Sequence, residues 1–210
     1  MKYYSQFQQD KFINENFFKN KNSGFFVDIG AHDGVLFSNS KFFEELGWNG
    51  ICIEPNPGIF HDLQINRKCD CVQKAMSNKK ENSLFFQFLG EAGDMLSGLV
   101  DKYSPTSMIH INKSKKDHPN SFNYIEVECD IFENIVQEFT IDFLSLDTEG
   151  NELEILETID FNKYDIKIIS VENNEYDNRF SKFFSSKNYS FVTKLGCDEI
   201  YKNNKYENIY

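Results

Sequence analysis

The sequence predicts an α/β fold in which a doubly wound, mostly parallel sheet is flanked by helices. Short apolar segments alternate with amphipathic segments of helical periodicity, which is the pattern of strands and helices in such a sheet. Four of the predicted strands end in an acidic residue, and ligands of these folds bind at the carboxyl ends of the strands. A length of 210 residues is typical of one domain, so we expect a single domain over residues 1–210.

The first regular block covers residues 25–74. Residues 25–29 are apolar apart from one acid and end at a glycine, which is typical of a strand buried on both faces. Ser38 or Asn39 is a suitable N-cap for the next helix, and Gly47 ends that helix. The block contains predicted strands at 25–29, 50–54 and 71–74, and predicted helices at 38–46 and 57–63.

A second regular block covers residues 131–202. Asn151 and Glu154 match a capping box at the start of one of its helices. Its predicted elements are helices at 131–139, 152–159 and 180–184, strands at 141–146 and 166–171, and a closing antiparallel hairpin formed by 189–194 and 199–202. Between the blocks, residues 83–125 are predicted to be an irregular insertion, with strands at 83–89 and 124–128, a glycine-rich loop at 90–98 and a polar stretch at 106–120.

The charge balance excludes some classes of function. The chain has 22 basic and 33 acidic residues, a formal net charge of −11 and a pI of about 4.8. General nucleic-acid binding and docking on anionic membranes both need a surplus of Lys and Arg, so we expect neither. No apolar run reaches the roughly 20 residues of a membrane span, and no signal sequence is evident. The five cysteines form no CxxC motif, which predicts reduced thiols and a cytoplasmic location.

The glycine turn after the first predicted strand suits a nucleoside-bearing cofactor. Gly30 and Gly34 bracket this turn, and glycine allows the backbone to approach a ligand closely. The pattern is not GxGxxG, and Asp28 and Asp33 would repel a pyrophosphate, so a dinucleotide is disfavoured. Glu54 ends the next strand, where an acid accepts hydrogen bonds from ribose hydroxyls. The alternative is structural: Asp28 caps local backbone and Glu54 is a solvated strand end.

Six motifs, taken in order, resemble those of the FkbM-type methyltransferases, which are class I O-methyltransferases that use S-adenosylmethionine. The motifs are YSQFQQDKF, FFVDIGAHDGV, SNS, ELGWNGICIEPNP, DFLSLDTEGNELEIL and ISVENN. The resemblance extends from about residue 5 to about residue 174. It implies a seven-stranded sheet with an antiparallel last strand, an N-terminal cap helix within residues 1–22, and a substrate lid formed by the 83–125 insertion.

The resemblance also implies which residues bind S-adenosylmethionine. The residues expected to line the methionine and ribose are Asp28, Gly30, Ala31, His32 and Gly34, and those expected near the carboxylate are Ser38 and Asn39. The residues expected to hold the ribose are Glu54, Pro55 and Asn56, the residue expected near the adenine is Ala75, and those expected to cap the pocket are Gln6 and Gln9.

Acidic residues at two neighbouring strand ends are the candidates for catalysis. Asp147 is the first candidate for the general base, and Glu149 and Glu172 are further catalytic candidates. The alternatives for the base are His32 and His110. Glu149 has an equally good structural explanation, because a carboxylate stabilises the N-terminus of a helix.

The same region is a candidate metal site. Asp147, Glu172 and Asn173 offer oxygen ligands of the kind that Mg²⁺ prefers. The arrangement is similar to the metal site of catechol O-methyltransferase, in which the ion binds the substrate hydroxyls and lowers their pKa. The alternative is a set of hydrogen-bonding groups that orients the substrate hydroxyls without an ion.

From this resemblance we expect methyl transfer to a hydroxyl of a sugar, a glycan or another small polyhydroxylated acceptor. One alternative is an RNA or protein methyltransferase on the same fold, in which the basic run of Lys113, Lys115 and Lys116 would contact the acceptor. The other alternative is a non-catalytic module that binds a nucleoside for partner recruitment. These alternatives differ in whether a methyl group is transferred and to which class of molecule.

Overall fold

The computed structural model describes residues 2–19, 21–89 and 94–206. Residues 90–93 of the predicted glycine-rich loop lie outside the described residues. The strands are β1 (Phe25–Ile29), β2 (Asn49–Ile53), β3 (Asp70–Val72), β4 (Ala75–Met76), β5 (Glu81–Phe88), β6 (Gly98–Leu99), β7 (Phe122–Asp130), β8 (Thr140–Leu146), β9 (Asp165–Glu172), β10 (Tyr189–Leu195) and β11 (Asp198–Asn203). The helices are α1 (Gln9–Ile13), which continues as a π-helix over Asn14–Phe18, α2 (Lys41–Glu45), α3 (Pro57–Asn66), α4 (Pro105–Asp117), α5 (Phe132–Ile135), α6 (Glu152–Thr158) and α7 (Arg179–Ser185).

The large sheet confirms the predicted α/β architecture. It has seven strands in the order β10-β11-β9-β8-β1-β2-β3. The five strands from β9 to β3 run parallel, and β11 pairs antiparallel with both β9 and β10, as the predicted hairpin requires. The chain order switches between β1 and β8, and such a switch point is where open α/β sheets bind their ligands.

The apolar residues of the central strands explain why this sheet is covered on both faces. In β1, Phe26 packs into the core on one face, and Val27 packs into the core on the other. Phe143 and Leu144 of β8 repeat the alternation in register with them. Such continuous apolar strands are typical of parallel sheets buried between helices. Within the described residues, no helix combines the length and apolar character needed to cross a membrane.

The 83–125 segment is not irregular, which corrects the prediction. It contributes β6 and parts of β5 and β7 to a second sheet, ordered β4-β7-β5-β6, in which β5 and β7 pair antiparallel along their length. Its polar stretch forms the 13-residue helix α4. Periodicity does not reveal this helix because Ile111 is its only fully buried side chain. The local signal was Ser104 before Pro105, since the Ser104 hydroxyl accepts a hydrogen bond from the Ser107 N–H at 3.0 Å as an N-cap.

Two predicted helices are shorter than expected. The helix predicted over 131–139 is the single turn α5, and α2 begins at Lys41 instead of Ser38. The Ser38 hydroxyl accepts hydrogen bonds from the N–H groups of Ser40 and Lys41, so it lies before the first helical turn. This leaves Ser38 and Asn39 in the loop beside the sheet edge.

Candidate functional site

One cavity opens at the carboxyl ends of β1, β2, β8 and β9, at the switch point of the large sheet. The predicted site residues that line it are Gln6, Gln9, Asp28, Gly30, Ala31, His32, Ser38, Asn39, Glu54, Pro55, Asn56, Ala75, Asp147, Glu149 and Glu172. Two predicted site residues, Gly34 and Asn173, are not in this lining. The cavity lining therefore contains most of the residues that the motifs indicated, and the exceptions have specific contacts elsewhere.

Gly34 makes room for a buried arginine instead of lining the cavity. Its φ angle is 77°, and a Cβ atom at this position would lie 2.6 Å from Cγ of Arg67. The Gly34 carbonyl accepts a hydrogen bond from Nη1 of Arg67 at 3.2 Å. Gly34 is thus required by the packing beneath the turn.

Arg67 connects the first glycine turn to the acid at the end of β1, and the motifs did not reveal it. Its side chain is fully buried, with Nε 3.2 Å from Oε2 of Glu44. Nη2 donates a hydrogen bond to the Ser40 hydroxyl, which in turn donates to Asp28. Burial raises the pKa of Asp28, and the charge of Arg67 opposes that rise. The arginine therefore helps to keep this acid ionised at the cavity wall.

Glu54 is positioned by the backbone on both sides of it. Its Oε2 accepts a hydrogen bond from the His32 N–H at 3.1 Å, and its Oε1 accepts one from the Asn56 N–H at 2.9 Å. Glu54 is 7% exposed, so the alternative of a solvated strand end does not hold. The carboxylate links the glycine turn to the start of α3, where the Asn56 side chain accepts a hydrogen bond from the Gly58 N–H as the N-cap.

A cluster of three carboxyl groups occupies the other side of the cavity. Asp147, Glu149 and Glu172 each offer an oxygen atom, and these oxygens lie within 4.8 Å of one another. Burial, with the neighbouring acids, raises the pKa of Asp147 to about 8 and raises the pKa values of Glu149 and Glu172. Glu172 is buried and Asp147 and Glu149 are partly buried, and the mutual repulsion of three adjacent carboxylates favours the retention of a proton near neutral pH when no cation is bound.

The turn that carries this cluster is capped differently from the prediction. Asn151 donates a hydrogen bond to the Met76 carbonyl at 2.8 Å, and Glu154 bonds to Lys102, so the two do not form a capping box. Glu152 instead fixes the turn that precedes the helix, because its Oε1 accepts hydrogen bonds from the N–H groups of Thr148 and Gly150. A carboxylate in the first helical turn satisfies amides that would otherwise lack partners.

The predicted metal ligands are only partly brought together. The Asn173 amide nitrogen donates to Glu199 at 2.7 Å and to the Asp177 carbonyl at 2.8 Å, its Oδ1 has no hydrogen-bond partner among the described residues, and Asn173 is not in the cavity lining. Glu149 is the third oxygen donor beside Asp147 and Glu172. Three carboxylate oxygens at this spacing fit a hard divalent cation in ligand type.

Backbone strain is concentrated around the cavity. Among the described residues, six non-glycine residues have positive φ, and three of them line the cavity: His32 at 51°, Phe37 at 55° and Glu149 at 65°. Such conformations cost about 1–3 kcal/mol each and are retained mainly at functional sites. This distribution supports the assignment of the cavity as the functional site.

The small sheet and the segment beside it complete the cavity wall. The lining residues that they contribute include Met76, Phe85, Met95, Ser97 and Leu99. The alternative base His110 is exposed on α4 and is not in the lining. Lys115, also on α4, lies over the rings of Phe86 and Tyr124 and donates a hydrogen bond to the Tyr124 hydroxyl. Its contacts are therefore with the small sheet.

Comparisons with solved structures return matches of low sequence identity. The METTL16 MTase domain has 10% sequence identity and a TM-score of 0.46, with 95% of this chain covered; the chain spans 66% of that protein's length. A putative rRNA-methylase from Clostridium thermocellum has 8% identity and a TM-score of 0.47, with 96% of this chain and 97% of that chain covered. No curated protein sequence matches significantly.

A family comparison agrees with the motifs. Residues 28–194 match the methyltransferase FkbM domain, and this range contains both the glycine turn and the carboxyl cluster. The match covers most of the chain and most of the cavity lining, although Gln6, Gln9, Cys197 and Asp198 lie outside the matched range. Membership of this family implies S-adenosylmethionine as the methyl donor. The chain belongs to the FkbM family of methyltransferases.

Proposed function

We propose that this chain transfers the methyl group of S-adenosylmethionine to a hydroxyl of a sugar, a glycan or another small polyhydroxylated acceptor. The observation that carries the proposal is that Asp147, Glu149 and Glu172 lie in the same cavity as the glycine turn and Glu54. Methyl transfer to oxygen needs a donor site and a proton acceptor within reach of one another. This cavity contains candidates for both.

In this proposal the cofactor lies along the carboxyl edge of the large sheet. Glu54 binds the ribose hydroxyls, since a carboxylate offers acceptors for two donors. The adenine lies toward Ala75, and the methionine extends past Gly30 toward Asn39. Asp28 supplies negative charge on the side of the sulfonium group. The burial and fixed hydrogen bonds of Glu54 and Asp28 support these roles.

Asp147 is the proposed proton acceptor. The acceptor oxygen attacks the methyl carbon in line with the carbon–sulfur bond, which breaks and leaves a neutral thioether. The hydroxyl proton passes to a carboxylate of the cluster. A carboxyl group whose pKa is raised to about 8 is a stronger base than an ordinary aspartate, and its pKa lies near the working pH.

The cluster is also the proposed site for Mg²⁺, with Asp147, Glu149 and Glu172 as ligands; in that alternative Asp147 would hold the ion instead of accepting the proton. When bound there, the ion would lower the pKa of an acceptor hydroxyl. The spacing and type of the three oxygens support this part of the proposal. The same residues orient the hydroxyl by hydrogen bonds if the ion is absent.

The test uses S-adenosylmethionine with an isotopically labelled methyl group. The purified protein is incubated with neutral sugars and glycans, with RNA or with a protein extract, each with and without EDTA. We expect label in a methyl ether of a hydroxylated acceptor, and a loss of about 10²–10⁴-fold in Asp147→Asn, the usual contribution of a general base. A Kd for S-adenosylhomocysteine within a few-fold of the wild type would show that this variant keeps its cofactor site.

The same assay separates the alternatives. Label in RNA or protein would overturn the proposed acceptor class. Binding of S-adenosylhomocysteine without transfer to any acceptor would favour a nucleoside-binding module. Activity that EDTA leaves unchanged would remove Mg²⁺ from the proposal, and the O-methylation itself would stand.

A further inference from the structure

Asp198 is a buried acid in the cavity that no motif indicated. It begins β11, where it pairs with Glu172 of β9, and it is 3% exposed. Because β11 is antiparallel to β9, its first residue lies at the carboxyl edge of the parallel strands. Asp198 is part of the cavity lining.

Every hydrogen-bonding partner that the structure gives Asp198 is a neutral donor. Its Oδ2 accepts hydrogen bonds from the Gln9 amide at 2.8 Å, the Asn39 amide at 3.5 Å and the Ser170 hydroxyl at 3.3 Å. Its Oδ1 accepts from the Cys197 thiol at 3.6 Å. Four donors around one carboxyl group suit its ionised form, which can only accept.

This negative charge lacks the compensation that Asp28 receives. Asp28 has the charge of Arg67 nearby, whereas no Lys or Arg of the described residues forms an ion pair with Asp198. Burial raises the pKa of Asp198 and its hydrogen bonds oppose the rise. A buried carboxylate without a cation is costly, so a cationic group of a ligand would be stabilised beside it.

Asn39 adds an acceptor without a hydrogen-bond partner beside the Asp198 carboxylate. Its Nδ2 donates to the Ser145 hydroxyl at 3.2 Å and to Asp198, which fixes the orientation of the amide. Its Oδ1 is buried and has no hydrogen-bond partner among the described residues. Asn39 is 8% exposed and also lines the cavity. The two side chains therefore present acceptors to one ligand group that must supply several donors.

We propose that Asp198 and Oδ1 of Asn39 bind the α-ammonium group of the methionine part of the cofactor. An ammonium group supplies a positive charge and three N–H donors, which matches what this pair lacks. The sheet order supports this placement of the ammonium group. Glu54, the proposed ribose ligand, follows β2 on one side of β1. Asn39 donates hydrogen bonds to residues of β8 and β11, which lie on the other side of β1. The inference depends on the cofactor alone and not on the proposed acceptor.

The test compares two ligands in two matched variants by calorimetry. The ligands are S-adenosylhomocysteine and its analogue without the α-amino group. The wild type is expected to bind the first about 10- to 100-fold more tightly, as is typical of a charge-assisted hydrogen bond. In Asp198→Asn the preference is expected to fall to within about threefold. The matched control is Glu199→Gln, a buried neighbour outside the cavity lining, which should keep the full preference.

Other results would overturn the inference. If Asp198→Asn keeps the wild-type preference for the ligand with the α-amino group, the ammonium group binds elsewhere. If both ligands bind more weakly by the same factor, Asp198 has a purely structural role. If the wild type binds neither ligand, the cofactor assignment fails and this inference with it. Thermal unfolding of each ligand-free variant checks its fold. Should Asp198→Asn not fold, Asn39→Ala gives the same readout, with the preference expected to fall by about 3- to 10-fold.

Discussion

The carbonyl oxygen of Asp147 occupies the space that a side chain at Gly30 would need: an ideal Cβ on Gly30 would lie 1.7 Å from it. The Asp147 N–H also donates a hydrogen bond to the Ile29 carbonyl at 3.0 Å. The ends of β1 and β8 are therefore in direct backbone contact. This contact sets the distance between the proposed donor site and the carboxyl cluster.

A Gly30→Ala substitution should disrupt both halves of the site. The added Cβ would force the backbones at the ends of β1 and β8 apart. Gly30 also has a φ of 82°, a backbone conformation that residues with a side chain rarely adopt. We expect a loss of at least about 3 kcal/mol in the free energy of unfolding, or loss of S-adenosylhomocysteine binding in protein that still folds. Denaturant unfolding and calorimetry measure the two effects.

The matched control is Gly58→Ala in the first turn of α3. A Cβ there would meet its nearest atom at 3.7 Å, which is an ordinary contact, so we expect neutral or slightly higher stability. Wild-type behaviour of Gly30→Ala would contradict the role assigned to this contact.

Glu54→Ala should weaken cofactor binding more than it weakens the fold. The substitution removes the proposed ribose ligand and also the acceptor for the His32 and Asn56 N–H groups. Hydrogen bonds to a charged group are worth about 1.5–3 kcal/mol, so the Kd of S-adenosylhomocysteine should rise by about 10- to 100-fold. Calorimetric titration measures it, with Asp62→Ala on exposed α3 as the control. Equal Kd values in wild type and Glu54→Ala would exclude the ribose role.

Arg67→Met should destabilise the protein although Arg67 does not line the cavity. The substitution leaves Glu44 and Asp28 without their buried cation, and breaking a buried ion pair on one side typically costs about 3–5 kcal/mol. Urea unfolding measures the change in the free energy of unfolding. Lys68→Met, at the exposed neighbouring position, should change it by less than about 0.5 kcal/mol. Similar effects of the two substitutions would contradict the role of the arginine.

Stability should depend on pH through the carboxyl cluster. Because the pKa of Asp147 is raised to about 8 in the folded protein, the unfolded chain releases this proton at lower pH than the folded chain. The contribution of the protonated Asp147 carboxyl group to the free energy of unfolding is fully present below about pH 4 and is lost as the pH rises through about 8. We expect the Tm of the EDTA-treated protein to fall over this range, and to fall less in Asp147→Asn. Parallel Tm profiles would show that Asp147 is ionised throughout.

The sequence allowed the centre of the large sheet and most of the cavity to be predicted. Strands such as β1 and β8 are apolar on both faces, and Asp28 and Asp147 follow from their place at or just after strand ends. Ser145 and Ser170 could have been found by the same reasoning, since each lies two residues before a strand-end acid and so faces the same side. The pairing of β8 with β9 places Ser145 directly opposite Ser170.

Other parts of the site depend on tertiary contacts that no local pattern reports. Arg67 lies just after α3 and reaches back to Ser40, and Asp198 enters the cavity only because β11 pairs antiparallel with β9. The position of α4 likewise depends on the small sheet, whose aromatic rings cover its few apolar residues. In each case the contact joins residues that are distant in the sequence, so the local sequence around the residue does not predict it.

The division of the cavity wall between two sheets has an evolutionary consequence. Most of the groups proposed to hold the methyl donor belong to the large sheet and its loops, with Ala75 of β4 as the exception, whereas Phe85 of β5 and Leu99 of β6 belong to the small sheet. Under the proposed function, the acceptor would contact the part of the wall formed by β5 and β6, so we expect changes there to alter which molecule is methylated and to leave the donor site intact. In that case, exchanging β5 and β6 between relatives would be a route to new acceptor specificities that keeps the methyl-donor site.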